Sequence, residues 1–498
     1  MGSITDAVVA RLRRFLRIER ADDRTVVIRD PYTHEGDCAK NRIWYRGIPS
    51  QLTDFYRAAD GASGTMFWAA QETAGMKIRK VHTGLAAIVI DCITQIICND
   101  FNGLEIDGAE KEINTSVWEE IARENDFDIL FESAVRDCAI VGDGAFKISA
   151  DPEISDKLIL EFFPAERVQF NRKRGRIREV EFYTEIVHER KPYLFIETYG
   201  YGYIRYALRG ENGRELPLDA IPETAWAKEN GATFDDTLIW AVPMLYGRSP
   251  VFDGRGKSLI DGKDAAGDAL DEAFSQWMDA LRAGRTKTYI PETLIPRDPL
   301  TLTPIRPNAF DNRFIATGAD MSEHGGNRIT TVSPEIRHDA YLATYITALD
   351  LYLQGLISPS TIGIDVKKLD NAEAQREKEK TTLYTRQNFV EMVQKVMPQL
   401  VRRVLNANRA LHGEPLITDA GFDVKAKFGE YANPSFESQV ETVGKARTAG
   451  IMSIEQGVEE LYGDSKTDEW KASEVARIKN EQGIVELEQP YEADDIGV

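Results

Sequence analysis

The segment Asp253-Gly-Arg-Gly-Lys-Ser258 ends as a phosphate-binding loop ends, with glycine, lysine and a hydroxyl side chain in succession. In such a loop backbone N–H groups cradle the phosphates, the lysine reaches the outer ones and the hydroxyl holds Mg²⁺. The loop also needs a glycine five positions before Gly256, where the chain curls around the phosphates, and position 251 is Val. Nucleotide chemistry is therefore not expected. Gly142-Asp-Gly144 and Gly200-Tyr-Gly202 begin like dinucleotide fingerprints, but their sixth positions are Lys147 and Arg205. No Gly-x-Ser-x-Gly elbow occurs, no acidic pair stands out as a general acid and base, and the spacing of the acid-rich stretches does not favour Mg²⁺ over solvation. Cys38, Cys92, Cys98 and Cys138 lack CxxC spacing and lie in apolar surroundings, so they read as reduced core residues. The six histidines are scattered without an HxH or HExxH pair, which argues against zinc. The expectation is a protein with no catalytic machinery, no metal and no cofactor.

Two groups of residues suit a different task, touching a polyanion without reacting with it. Lys367 and Lys368 sit in a Pro- and Gly-punctuated loop between an apolar helix and a very long one. Asp370, followed three residues later by Glu373, forms a capping box that restarts the chain as helix. Residues 358–409 hold ten basic and six acidic side chains, a local excess of positive charge. The bland alternative is that the two lysines only keep a loop soluble. The second group is Asp261, Asp264, Asp268 and Asp271, which recur at three- and four-residue spacing and form one stripe of a helix. Gly256–Ala283 carries six acidic and three basic residues. Such a stripe is ordinarily a solvated face; it could also face a channel or pair with a neighbouring subunit.

Those residues need elements to position them. At 498 residues the chain should form more than one structural unit, and its 42% hydrophobic and 29% charged content is that of a globular protein. No apolar run approaches the roughly 18–20 residues that span a bilayer, and the N-terminus lacks the pattern of a secretory signal. The net charge is 61 − 81 = −20, which argues against coating nucleic acid through a broad basic surface. Residues 1–24 fit an amphipathic helix, and 1–150 read as mainly helical, with one helical stretch over Trp118–Val141. From about 158 to 208 the β-branched and aromatic alternation predicts an antiparallel meander, broken at Arg172–Gly175 and Glu189–Pro192. Helix returns over Leu259–Ala283. A Pro-rich, strand-like insertion follows, and a further helix carries Leu342, Ile346, Leu349, Leu353 and Leu356 on one seam. The long helix from Asp370 should be kinked by Pro398. After it come a hairpin-like segment over Ile417–Tyr431, three short helices, the second capped by Ser453 with Gln456, and an acidic tail expected to be disordered.

Read together, NRIWYRGIPSQLTDFYR (Asn41–Arg57), IRKVHTGLAAIVI (Ile78–Ile90), the helix from Leu259, the stretch Leu356–Arg386 and KFGEYANPSFESQVETVGKARTAGIMSIEQGVEELYG near the C-terminus resemble the portal proteins of tailed bacteriophages. It is their order along the chain, more than any one motif, that carries the resemblance. The resemblance implies an α+β portal fold with an α/β wing, a helical stem, a small β-containing clip and a helical crown. On that pattern 25–255 is the wing, 256–284 the first stem helix, 285–334 the clip and 335–357 the second stem helix. The tunnel loop is 358–370, and 371–410 is a long helix leading to the crown. The remaining wing or crown helices occupy 411–486, before the tail at 487–498. It further implies a ring, typically of twelve subunits, at one capsid vertex of the virion, assembled in the host bacterial cytoplasm. Double-stranded DNA would pass through it during packaging and ejection. The implied partners are further copies of the chain, the terminase large subunit, scaffold and major capsid protein, and head-completion or neck adaptor proteins. Lys367 and Lys368 would then touch phosphates at the constriction, while Asp261, Asp264, Asp268 and Asp271 would line the channel and repel DNA. A capsid or tail connector that never meets DNA is the alternative, and a nuclease or packaging ATPase is disfavoured by the failed phosphate loop.

Overall fold

A computed structural model describes residues 33–60, 67–71, 78–108, 110–227, 231–291, 300–301, 314–317, 330–332, 335–364, 372–417, 422–429, 436–463 and 466–481. The chain divides into two compact units, Met1–Phe428 and Gly429–Val498. The expected helix at 1–24, the tail at 487–498 and the loop lysines lie outside the described residues, as does most of the Pro-rich insertion.

The first unit is α+β. Its core forms around three helices: α3 (Leu85–Asp100), α5 (Phe127–Val141) and α8 (Ala372–His412). Val89, Ile90, Ile93 and Ile97 of α3 have no exposed surface, nor do Ala134, Val135, Cys138 and Ala139 of α5. Each set forms one continuous buried apolar face, while Ile88 and Gln95 of α3 and Ile129 of α5 are exposed on the other side. On α8, Phe389, Val393, Leu400, Val401 and Val404 are fully buried at helical spacing. The helix continues through Pro398 as a single element of 41 residues. The anticipated helix over 118–141 is two, α4 (Lys111–Glu124) and α5, because Asp126 adopts a left-handed φ of 45° between them. Asn125 secures the break: its amide donates to the Ile121 and Leu158 carbonyls and its oxygen accepts from the Leu160 N–H.

Antiparallel sheets surround these helices. β2 (Asp143–Ser149) is the centre of a three-stranded sheet between β3 (Ile159–Pro164) and β10 (Ala241–Leu245). The alternating segment over 158–208 supplies β3 and then β4 (Val168–Lys173), β5 (Arg176–His188), β6 (Lys191–Gly200) and β7 (Tyr203–Arg209), the last four consecutive in a six-stranded sheet that β8 (Glu215–Leu216) and β9 (Ala232–Thr233) complete. The described residues of 417–431 hold no hairpin. Phe422–Phe428 is a single strand, β14, and its partner is β1 (Phe101–Gly108), with Leu104 opposite Ala426. Phe422, Val424 and Ala426 are buried while Asp423 and Lys425 are exposed, so alternation marked the strand without indicating its distant partner.

Helices α6 (Asp264–Ala283) and α7 (His338–Leu353) pack together, with Trp277 and Phe274 against Tyr345 at ring separations of 6.1 and 5.8 Å. Between them, β11 (Lys287–Pro291) pairs in parallel with β12 (Phe314–Thr317) and antiparallel with β13 (Thr330–Val332).

The second unit contains α9 (Phe436–Thr448), α10 (Ile454–Tyr462) and α11 (Asp468–Glu481). Ser453 caps α10 by accepting from the Gln456 N–H at 3.1 Å, and Tyr462 meets Trp470 edge-on at 4.9 Å. Lys479 of α11 reaches Glu455 at 2.8 Å and, aided by hydrogen bonds from the Glu455 backbone and Ser453, pulls its carboxyl down to about 2. A depressed folded-state value contributes stability that is present above the unfolded value of about 4.3 and is lost as pH falls toward 2. Amide exchange in α10 should therefore accelerate across that interval, and Glu455→Gln should flatten the change.

Candidate functional site

The acidic stripe of α6 exists, but it faces the protein's own chain. Between α2 (Pro49–Asp60) and α3 the described residues 67–71 and 78–84 run across α6 largely without regular structure, so their backbone N–H groups need acceptors. Asp268 accepts from the N–H groups of Trp68 and Ala69 at 2.6 and 2.9 Å. Asp271 accepts from the Thr83 N–H and hydroxyl, both at 2.9 Å, and its other oxygen lies 2.6 Å from His82 Nδ1. Ser275, one turn further, accepts from the Val81 N–H at 2.9 Å. Asp264 pairs with Lys40 of α1 (His34–Arg46) at 2.9 Å. Burial raises the carboxyls of Asp264 and Asp268; Lys40 opposes it at the first, and the two backbone N–H groups oppose it at the second. Asp268 and Asp271 are 7% and 6% exposed, which leaves no free carboxylate surface to line a channel. The stripe is a row of acceptors that straps residues 68–69 and 81–83 to the helix. Asp261 stands apart from it, half-buried on the loop before α6, and lines a cleft with Lys257 and Lys263.

The loop after α7 is tied down at its start. Thr382 of α8 accepts from the Ser358 N–H at 2.9 Å, and Thr385 donates to the Leu356 carbonyl at 2.6 Å. A 3₁₀ turn over Pro359–Ile362 ends at Gly363 with φ 74°. Beyond Ile364 the chain leaves the described residues until Ala372, so Lys367, Lys368 and the Asp370 cap have no described position.

The segment that resembled a phosphate loop is a buried clasp. Arg255 forms a bidentate pair with Asp143, at 3.0 and 2.7 Å, and also donates to the Val168 and Ala165 carbonyls. The Gly256 N–H, which would face a phosphate in a nucleotide site, donates instead to Asp143 at 2.7 Å. Ser258 donates to the Ile140 carbonyl at 2.7 Å. Gly256 and Gly142 touch so closely that a Cβ on Gly256 would lie 2.0 Å from the Gly142 oxygen. These groups are fully used in holding 253–259 against the start of β2.

Sequence reasoning did not single out the cations around Arg248, Lys395 and Arg403. They come from separate stretches of chain and converge only on folding, although Arg172–Gly175 beside them was visible as a break in the strand pattern.

No protein-family model matches the chain, and no curated protein does. Among solved structures, it is similar to a chain described as "Virion of native gene transfer agent (GTA) particle", with a TM-score of 0.40 and 13% identity, over 84% of this chain and 91% of that one.

Proposed function

We propose that this chain is the subunit of a phage portal, a ring at a capsid vertex through which double-stranded DNA is packaged and released. The observation that carries the reading is the outer face of α7. Ala340, Ala343, Thr344, Thr347 and Leu351 are exposed on it, and between His338 and Leu353 the only carboxylates are Asp339 and Asp350. A helix face that is mostly small and uncharged, with its two exposed carboxylates near the ends, is suited to close packing against another helix, and a neighbouring copy would supply one. The paired helices α6 and α7 flanking a β-containing insertion, followed by a loop and a 41-residue helix, also fit the stem, clip, tunnel loop and crown-directed helix of a portal. In this reading the chain performs no catalysis. Lys367 and Lys368 meet phosphates at the constriction, and ATP hydrolysis belongs to a terminase docked on the insertion at 285–334. Scaffold, capsid and neck proteins would bind the outside of the ring.

One observation favours a connector that never meets DNA. Three of the four carboxylates expected to repel a passing polyanion are engaged within the subunit. Negative-stain electron microscopy of the purified chain, with native mass for the subunit count, separates the possibilities. Rings of about twelve copies around a pore wide enough for duplex are expected under the portal reading; a closed oligomer without a pore would sink it.

A further inference from the structure

In a chain with a net charge of −20, one surface is densely cationic. The β4–β5 turn places Arg172, Lys173, Arg174, Arg176 and Arg178 within seven positions, all exposed. Among the described residues none of the five is in an ion pair with a carboxylate. Behind the turn lies a cleft of about 790 Å³, lined by Arg172, Arg176, Arg248, Lys395 and Arg403 along with Tyr201, and by one carboxylate, Asp253. It adjoins a second cleft of about 650 Å³ that shares Arg248 and Lys395 and adds Lys257 and Lys263 beside Asp261 and Glu391.

Arg255 on the cleft floor is paired with Asp143, while Arg172 and Arg403 are held by hydrogen bonds to backbone carbonyls. Arg172 donates to Gly175 O at 3.1 Å and Gly254 O at 2.7 Å, stapling the turn to the 253–255 loop. Gly254 has φ 75°, and a Cβ there would lie 2.6 Å from Arg172 Nε, so the loop can approach only as glycine. Arg403 donates to the Ala241 carbonyl. Burial pulls Arg172, Arg403 and Lys263 below their ordinary values, with Lys257 adding to the effect at Lys263. At Lys40, Arg42 and Lys147 burial acts in the same direction, but facing carboxylates outweigh it and those groups are raised. At Arg172, Arg403 and Lys263, then, no facing carboxylate outweighs burial as it does at Lys40, Arg42 and Lys147.

We propose that the β4–β5 turn and the cleft behind it bind the phosphodiester backbone of a nucleic-acid strand, separately from the loop at 358–370. The predominance of arginine suits the forked, bidentate recognition of phosphate. Tyr201, 37% exposed on the cleft wall, adds an aromatic ring on which a base can stack, which an acidic peptide would not need. The surface is complete in one subunit and does not depend on ring formation.

The test is fluorescence anisotropy with a labelled single-stranded oligonucleotide, using the full chain. Neutralising three phosphates should weaken binding roughly 20-fold between about 50 and about 200 mM salt. Arg174→Glu/Arg176→Glu, at exposed positions, should weaken binding by about tenfold or more without moving the melting temperature. Tyr201→Ala should cost about fivefold or more. No binding at the lower salt, or equal affinity in the charge-reversed variant, overturns the proposal. So does displacement of the oligonucleotide by poly-glutamate at equal charge concentration, which would assign the surface to an acidic protein segment.

Discussion

Asp143→Ala is expected to lower the stability of the first unit by about 3–5 kcal/mol, read as a shift in the midpoint of urea unfolding. Asp143 is wholly buried, and its carboxylate accepts from Arg255 Nε and Nη2 and from the Gly256 N–H. Removing it strands a guanidinium that is itself only 7% exposed and leaves a backbone donor without an acceptor. The neighbouring contacts cannot relax to compensate. The Tyr246 N–H donates to Gly142 O and the Lys257 N–H to Tyr246 O, each at 2.8 Å, so the clasp is threaded through the backbone on both sides. Replacing both members of the pair with apolar residues of similar volume should cost less than either single change, because no charge is then left alone. A loss below about 1 kcal/mol in Asp143→Ala would show that water enters and solvates Arg255, contrary to the buried geometry.

The second large effect belongs to the strap. Asp268→Ala removes the acceptor of two backbone N–H groups, and at about 1–3 kcal/mol for each unsatisfied donor the loss should be about 2–6 kcal/mol. It should be local before it is global. Amide exchange at Trp68 and Ala69 should rise first, and proteolysis should concentrate in the strap near Lys80, whose ammonium donates to the Trp68, Ala69 and Gln71 carbonyls. Asp268→Asn keeps one acceptor oxygen and should fall between wild type and alanine. The same pair of variants separates two roles for the stripe. Charge lining a channel would make the asparagine variant alter DNA passage with stability unchanged, whereas an acceptor row makes stability follow the number of acceptors. Equal stability of all three proteins would sink the strap.

Much of the fold was legible, for physical reasons that can be traced to particular residues. Val89, Ile90, Ile93 and Ile97 announce a helix with a wide buried face because they recur at three- and four-residue spacing. The alternation through Val180, Phe182, Leu194, Ile196, Ile204 and Leu208 announces half-buried strands and an α+β molecule. The spacing of Asp264, Asp268, Asp271 and Ser275 correctly places them on one side of a helix. What spacing cannot convey is what that side touches. A carboxylate solvated by water and one that accepts backbone N–H groups look alike in sequence, and the donors here lie nearly 200 residues away, as from Ala69 to Asp268. The role of Asp253–Ser258 was hidden for a related reason, although Val251 had already argued against a nucleotide. A glycine, a cation and a hydroxyl in succession suit a phosphate, but they suit equally a tight approach of two backbones sealed by Asp143, which lies 112 residues from Arg255. The basic cleft was hidden because Arg176, Arg248 and Arg403 come from three distant stretches of chain.

The pairing of β1 with β14 also has a bearing on how the molecule is made. Strand β1 ends at Gly108 and its partner begins at Phe422, so 422 − 108 = 314 residue steps separate them. At ~5–20 residues per second of translation, β1 waits on the order of 16–63 s on the ribosome before its partner exists. During that wait its hydrogen-bonding edge is a strand template open to another chain. The newly made protein therefore has a vulnerable period that begins early in synthesis, and it closes only after α8 has emerged and brought β14 back to the start of the fold.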